Sequence, residues 1–408
     1  MGSKTSESNR PRHLHLRTSH EALRVLKKID VDPYGIEAML PKMSHCNILL
    51  EGIKCNVANI IKQEMLSLGG DAAVSRSSVS CSATETDVVI MGTEKQLRRF
   101  ADKISAQPLG LKAISSGVKQ LLVNIAQDTF VLKTSKREMV FGDRTHIMGI
   151  LNVTPDSFSD RGMFHVPEDA VKYGLQMAES GADIIDIGGE SSRPGADPVT
   201  VEEEIARVIP VITALTCRVN VPISIDTTKA EVARKALECG AEIVNDIGAM
   251  RLDDTMARVI ADTGAAVVLM HMRGTPRDMQ SGDLSYPSLV GDIIEFLGNS
   301  IDNAVTAGIS RKCILIDPGI GFGKTGEDNL RLLRNLSEFK VLGRPILIGV
   351  SRKAFIGKIT GGAPSERTEG TAAAVTASIM NGANIVRVHD VQAMKKVVTV
   401  ADAIIRAS

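Results

Sequence analysis

From His146 to the end of the chain, apolar runs of about six to eight residues alternate with segments of helical periodicity. The runs are HIMGILNV, ADIIDIGG, VPISIDT, AEIVNDIG, AAVVLMHM, CILIDPG, RPILIGVS and ANIVRVHD. The segments between and after them include PEDAVKYGLQMAESG, TVEEEIARVIPVITAL, KAEVARKALECG, DTMARVIADTG, GDIIEFLGNSIDNAVTAG, EDNLRLLRNL, EGTAAAVTASIMNG and VQAMKKVVTVADAII. Gly181, Gly240, Gly264 and Gly382 stand just before strands and suit the left-handed position that ends a helix. Strands that are apolar on both faces and joined by helical crossovers form a parallel sheet. Eight repeats in about 260 residues are the size of a (β/α)8 barrel, whose closure leaves no edge strand. An open doubly wound sheet is the alternative, but no G-x-G-x-x-G turn follows the first strand. The predicted fold class is therefore α/β, a (β/α)8 TIM barrel with a small N-terminal α/β domain.

The text before the barrel falls into three parts. Residues 129 to 142, TFVLKTSKREMVFG, are two short apolar runs around the polar turn KTSKRE, which predicts a β-hairpin and sets the barrel domain at 129–408. Residues 20–125 read as the small α/β domain. In order they carry the strand CNILLEGI, the helix CNVANIIKQEMLSL ended by Gly69 and Gly70, the strand DAAVSR, the polar loop SSVSCSATETD, the strand VVIMGT and the helix EKQLRRFADKI. No chemistry stands out there, and His45 and its cysteines read as packing. Residues 1–19 are polar and basic and are expected to be a disordered leader.

Composition narrows the classes. Lys and Arg number 48 against 48 Asp and Glu, so no global field draws nucleic acid or an anionic membrane to the chain. Aromatics are 3% with no Trp, a poor basis for a base-stacking surface. The six cysteines are scattered without a C-x-x-C pair, which argues against a zinc cluster and for reduced thiols. The sequence contains no apolar span of bilayer length and no apolar leader, so a cytoplasmic protein is expected.

In a barrel of this kind the chemistry sits at the C-terminal ends of the strands. Polar residues collect there on every strand: Asn152; Glu190 to Arg193; Asp226; Asn245 and Asp246; His271; Asp317; Ser351 to Lys353; and Arg387, His389 and Asp390. One such end is a helix cap or turn more often than a site, but eight together are hard to explain as capping. Asp226, Asn245, Asp317 and Lys353 can read the edge of a planar, nitrogen-rich heterocycle. Arg193, Arg387 and His389 suit an anion, phosphate above all. The pair of pockets points to a phosphorylated heterocyclic substrate. The first loop, NVTPDSFSDRG, carries Asn152, Asp156 and Asp160, hard oxygens suited to Mg²⁺ or to a surface Asx-turn. GFGK within DPGIGFGKT lacks the spacing of a P-loop, which excludes nucleotide hydrolysis. It reads either as a glycine-rich turn that brings Phe322 to a ligand or as a tight turn into the next helix.

Taken in order, IMGILNVTPDSFSD, IDIGGESSRPGA, SIDTTKA, VND, LMHMRGTP, DPGIGFGKT, GVSRKAFIG and RVHDV resemble the dihydropteroate synthase family over about residues 129 to 408. The resemblance implies that a dihydropterin methyl diphosphate condenses with p-aminobenzoate, with Mg²⁺, to give 7,8-dihydropteroate and diphosphate in folate biosynthesis. Asp226, Asn245, Met270, Asp317 and Lys353 would bind the pterin, with Asp226, Asp317, Lys353 and Asn152 carrying the chemistry. Asn152, Arg193, Arg387 and His389 would hold the diphosphate, and Asn152 the metal. Phe158, Ser192, Arg193, Pro194, Phe322 and Lys353 would shape the aminobenzoate pocket, and Asp160 would pair with Arg193 as the loops close. The resemblance also implies a homodimer built on the helices of the last repeats, and sulfonamide inhibitors.

Three positions depart from the family pattern. Ser192 stands where Thr is usual, Arg161 where Gly is usual, and Ala354 where some members carry Ser. The N-terminal block lacks the glycine-rich opening and acidic cluster of a pterin pyrophosphokinase, so an accessory domain is expected, for oligomerisation, stability or partner binding. Two other readings compete: a pterin-dependent methyltransferase acting on a corrinoid protein, and a silent pterin-binding module. The S-S-R-P-G and S-R-K motifs oppose the first; intact Asn152, Asp226, Lys353 and Arg387 oppose the second.

Overall fold

The computed structural model describes residues 10–14, 16, 18–79, 83–154, 166–191 and 198–407. The chain divides into two compact units, Met1–Ala126 and Gln127–Ser408.

The first unit contains α1 (Ser19–Lys28), α2 (Pro33–Met43), β1 (His45–Lys54), α3 (Cys55–Ser67), β2 (Asp71–Val74), α4 (Arg76–Val79), β3 (Glu85–Thr93), α5 (Glu94–Ile104) and α6 (Leu111–Ile125). The strands form an antiparallel sheet in the order β1-β3-β2. Thr86, Val88, Ile90 and Gly92 alternate inward along β3, the period of a half-buried strand. Val88 and Ile90 pack with Ile61, Met65, Leu97, Phe100 and Leu122 in a core of the unit's own. α5 opens on a capping box between Thr93 and Gln96. The expected strands and helices are all present, and α1, α2, α4 and α6 are additions. α2 starts on Pro33 behind the Asp32 cap and holds Pro41, residues that read as loop when no partner surface is in view.

The second unit opens with the expected hairpin, β4 (Phe130–Lys133) and β5 (Glu138–Phe141), paired from Phe130↔Phe141 to Lys133↔Glu138. Burial of Phe130, Leu132 and Phe141 contributes about 1.5–3 kcal/mol apiece. At the turn, Thr134 Oγ1 donates to Glu242 Oε2 at 2.7 Å and Lys136 Nζ to the Gly240 carbonyl at 2.7 Å, just before a barrel strand begins. The hairpin therefore closes the N-terminal end of the barrel.

Strands and helices then alternate: β6 (His146–Asn152), α7 (Val166–Glu179), β7 (Ile184–Gly188), α8 (Val201–Thr216), β8 (Ile223–Asp226), α9 (Ala230–Glu238), β9 (Ile243–Asp246), α10 (Met256–Thr263), β10 (Ala266–Met270) and α11 (Leu289–Thr306). They continue as β11 (Ile314–Asp317), α12 (Gly326–Arg334), β12 (Leu347–Ile348), α13 (Ala354–Thr360), α14 (Thr368–Met380), β13 (Ile385–Val388) and α15 (Val391–Arg406). Among the described residues the sheet has eight strands, ordered β11-β10-β9-β8-β7-β6-β13-β12. A parallel bridge between Ile316 and Ile346 joins its two ends and completes the barrel. The strands are buried along nearly their whole length, as parallel strands covered on both faces must be. Gly181, Gly240, Gly264 and Gly382 all take positive φ behind their helices.

Candidate active site

Strand register sets the site's geometry. Asn152 pairs with Gly188, Gly188 with Asp226, and Asp226 with Asn245, so these residues form one row across β6, β7, β8 and β9. One inward position lower on β7 lies Asp186, fully buried. Its Oδ2 accepts from Asn245 Nδ2 at 2.9 Å and from Arg387 Nε at 2.6 Å. Arg387, from β13, also donates from Nη2 to Asp226 Oδ2 at 2.6 Å. Asp186 thus supports the row from below. With its amide nitrogen committed downward, Asn245 has its carbonyl oxygen left to offer a ligand.

Met270 and Asp317 are register partners at the ends of β10 and β11, and both are buried. Asp317 Oδ1 accepts from the Gly319 amide at 2.7 Å. Lys353 is the residue before α13, at the end of a tightly held turn. Arg352 has φ +57°, and its guanidinium is bidentate to Asp390 at 3.1 and 2.6 Å. The Arg367 guanidinium donates to the Arg352 carbonyl at 3.0 Å. Lys353 Nζ stands 4.2 Å from the centroid of the Phe322 ring, a cation–π contact. The glycine-rich segment leads into α12, capped by Thr325, and places the Phe322 ring against Lys353.

Burial dominates the protonation of the site. It lifts the Asp226 carboxyl to about 7, with Arg387 pulling down and Asp186 pushing up. It lifts Asp317 as well, against the Gly319 amide and Lys353. It lowers Lys353 to about 8, helped by Arg387. It also takes His389 down to about 3, with Arg387 and Arg352 adding repulsion. His389 Nδ1 lies 2.9 Å from Ser351 Oγ. A histidine so placed meets an anion as a neutral hydrogen-bonding group rather than as a second cation beside Arg387.

The family described as "Pterin binding enzyme" matches residues 148–389. The dihydropteroate synthase of a Synechocystis species is 49% identical over 267 residues, which cover 65% of this chain and 92% of that protein. The chain belongs to the pterin-binding enzyme family. A second relative, the probable bifunctional folylpolyglutamate synthase/dihydropteroate synthase of Halobacterium salinarum, is 41% identical over 384 residues. That match takes in 94% of this chain, most of the N-terminal unit included, and 46% of the relative. Among solved structures, the dihydropteroate synthase of Xanthomonas albilineans with 4-aminobenzoic acid superposes with a TM-score of 0.65 at 44% identity, covering 69% of this chain and all of that one.

Against this family background, the structure brings together Asn152, Asp226, Asn245, Met270, Asp317, Phe322, Lys353, Arg387 and His389 at one end of the barrel. Phe158, Asp160, Ser192, Arg193 and Pro194 lie outside the described residues. Three other strand-end residues hold the scaffold: Glu190 binds Lys229 and the Val199 amide, Asp246 accepts the Gly248 and Met250 amides at 2.7 Å, and Asp390 holds Arg352. Sequence reasoning missed Asp186, whose signal is a carboxylate flanked by isoleucines inside the apolar run ADIIDIGG. It also passed over Lys324, buried and bonded to His271.

Among the described residues, no three ionisable ligands gather into a metal-binding cluster. Asn152, half-buried at the end of β6, offers one hard amide oxygen. That fits an ion such as Mg²⁺, which keeps few protein ligands and takes the rest from phosphate and water. No described helix is long and apolar enough to cross a membrane.

Proposed function

We propose that the barrel joins a dihydropterin methyl diphosphate to p-aminobenzoate, the dihydropteroate synthase reaction, with the diphosphate leaving before the amine attacks. The observation that carries this reading is the row Asn152–Gly188–Asp226–Asn245, buttressed by Asp186 and faced by Asp317 and Lys353. It sits in a barrel whose sequence relatives are dihydropteroate synthases over most of their length. The dihydropteroate synthase of Xanthomonas albilineans has also been solved with 7,8-dihydropteroate, a structure that aligns with this chain at 42% identity.

The residues suit a dissociative course. Asp226, Asn245 and Asp317 present acceptors to the pterin edge, and Lys353 a donor. When the carbon–oxygen bond to diphosphate breaks, its electron pair leaves with the anion and positive charge spreads from the methylene into the pterin. Carboxylates held at the ring edge favour that charge. Arg387 and a neutral His389 receive the departing diphosphate, with Asn152 as the protein ligand for Mg²⁺. Bound there, the ion would supply charge neutralisation for the leaving group. The lone pair of the arylamine nitrogen then forms the new bond to the methylene carbon, and the proton it sheds passes to solvent water. Phe322 and Lys353 form one wall of the aminobenzoate pocket, and the resemblance assigns Phe158, Ser192, Arg193 and Pro194 to the rest, with Asp160 pairing with Arg193.

The working unit is a homodimer seated on α14 and α15, in a soluble cytoplasmic enzyme. Ala372, Ala373, Thr376, Val397, Val400 and Ile404 line an apolar groove between these helices, with Val400 60% and Ile404 57% exposed. The first unit is an accessory domain without a share in the chemistry. The deciding experiment is an assay of purified protein with dihydropterin diphosphate, p-aminobenzoate and Mg²⁺, following dihydropteroate and diphosphate. Equal amounts of both products, lost on chelation and restored by Mg²⁺, support the proposal. A folded protein that makes neither but binds methyltetrahydrofolate would replace it with the methyltransferase reading.

A further inference from the structure

The segment from Asp317 to Lys324 leaves β11, turns against the end of β10 and runs on towards α12. The approach is so close that a Cβ on Gly319, at φ +73°, would lie 1.9 Å from the His271 carbonyl oxygen; only glycine fits there. Lys324 is 2% exposed. Its Nζ lies 2.8 Å from His271 Nδ1, and it donates to the Phe322 carbonyl at 3.0 Å and to the His271 carbonyl at 3.4 Å. Among the described residues it has no ion-pair partner within 4.0 Å.

An ammonium is costly to bury without full hydrogen bonding, and here each acceptor belongs to one of the two segments that meet. Burial and Lys324 itself hold His271 down at about 2, so its Nδ1 is free to accept. The His271 ring is also packed against an aromatic neighbour. Phe296 packs against it edge-on at 4.8 Å, and the Arg251 guanidinium covers Phe296 at 4.7 Å. One continuous contact path therefore runs from Arg251 through Phe296, His271 and Lys324 to Phe322, whose ring carries the Lys353 ammonium.

We propose that Lys324 is a positioning residue for the arylamine side of the pocket: by tying the Phe322 carbonyl to His271 it sets where the Phe322 ring stands, while Lys353 is held by its own turn. The proposal rests on the synthase reading, which puts Phe322 and Lys353 against p-aminobenzoate. It assigns a role to the lysine of GFGK that neither pterin nor diphosphate contact requires.

The test compares full-length wild type, Lys324→Met, Phe322→Leu and the double variant, with the Michaelis constants for the two substrates taken separately. A wild type that forms no dihydropteroate removes the synthase reading and the proposal together. With an active wild type, Lys324→Met is expected to raise the KM for p-aminobenzoate about ten- to a hundredfold while the pterin KM moves less than about threefold, the signature of a displaced contact and not of general loosening. The double variant is expected to be no worse than Phe322→Leu, because both changes act through one ring. An unmoved aminobenzoate KM, a parallel rise in both constants, or additive effects in the double variant overturns the proposal. If Lys324→Met does not fold, His271→Leu removes one anchor and leaves the bond to Phe322, with the same expectation and the same refutation.

Discussion

Arg387 and Asp186 stand 201 residues apart in the chain and meet at 2.6 Å beneath the pocket floor. Through that contact one buried carboxylate orients the guanidinium that reaches Asp226 and the amide that Asn245 turns to the ligand. Removing it leaves Arg387 with only Asp226 and frees the amide to flip. Asp186→Ala is expected to destabilise the fold by about 3–5 kcal/mol, the cost of breaking a buried pair by deleting one partner. Asp186→Asn keeps an acceptor and is expected to fold, with pterin affinity down about tenfold from the weaker, neutral hydrogen bonds. Thermal melts and a titration with a pterin ligand check both; unchanged pterin affinity in a folded Asp186→Asn would remove the orienting role.

Protonation of the free enzyme sets a second expectation. Burial holds Asp226 at about 7 and Lys353 at about 8. The pocket reads the pterin edge with Asp226 ionised and Lys353 protonated. As pH falls through 7, Asp226 takes up a proton and loses its acceptor role; as pH rises through 8, Lys353 loses the proton it donates. The profile of kcat/KM for the pterin substrate, which reports free-enzyme groups, should therefore be a narrow bell with limbs near these values. Lys353→Arg keeps its charge and should lose the alkaline limb whatever its absolute rate. A flat profile from pH 6 to 9 would contradict this account.

What could be read in the chain follows from what is local. The barrel was legible because strands buried on both faces leave uninterrupted apolar runs, and because several helices before strands end in a glycine signal, at Gly181, Gly240, Gly264 and Gly382. β12 is the exception: RPILIGVS supplies only Leu347–Ile348 as a strand, since Pro345 and Gly349 bracket it. The strand-end residues were legible as a set, and within it Glu190, Asp246 and Asp390 bond to the protein's own groups, which the sequence did not show. The role of Asp186 was not legible. Its partners Asn245 and Arg387 come from other strands, so the carboxylate among the isoleucines of ADIIDIGG stands out without showing what it binds. Lys324 was hidden for the same reason, since His271 lies 53 positions away.

The N-terminal unit invites a cut at the boundary between Ala126 and Gln127. Each unit has a hydrophobic cluster of its own. Every residue assigned to the pocket lies after Gln127. The synthase of Clostridium beijerinckii aligns over its whole length to 67% of this chain, so a barrel-length protein is a known format. A chain starting at Gln127 is expected to fold and to keep kcat and both Michaelis constants within about threefold of the full chain, since every residue assigned to the pocket is kept. Steady-state kinetics on the two proteins decide it. A folded barrel without turnover would make the first unit part of the working enzyme.

The α14–α15 face carries the last expectation. Val400 and Ile404 are one turn apart on α15 and largely exposed, and with the alanines of α14 they line the largely apolar groove beside Lys396. A symmetric pair of chains would bury that face against itself, the isologous contact that two-fold dimers use. Placing a charge there sets like charges face to face and leaves them unpaired in an apolar contact. Val400→Asp with Ile404→Asp should therefore halve the mass seen by light scattering. The described pocket residues all come from one chain, so the monomeric variant should still make dihydropteroate. Wild type that already sediments as a monomer would contradict the dimer, and a doubly substituted protein that stays dimeric would place the interface elsewhere.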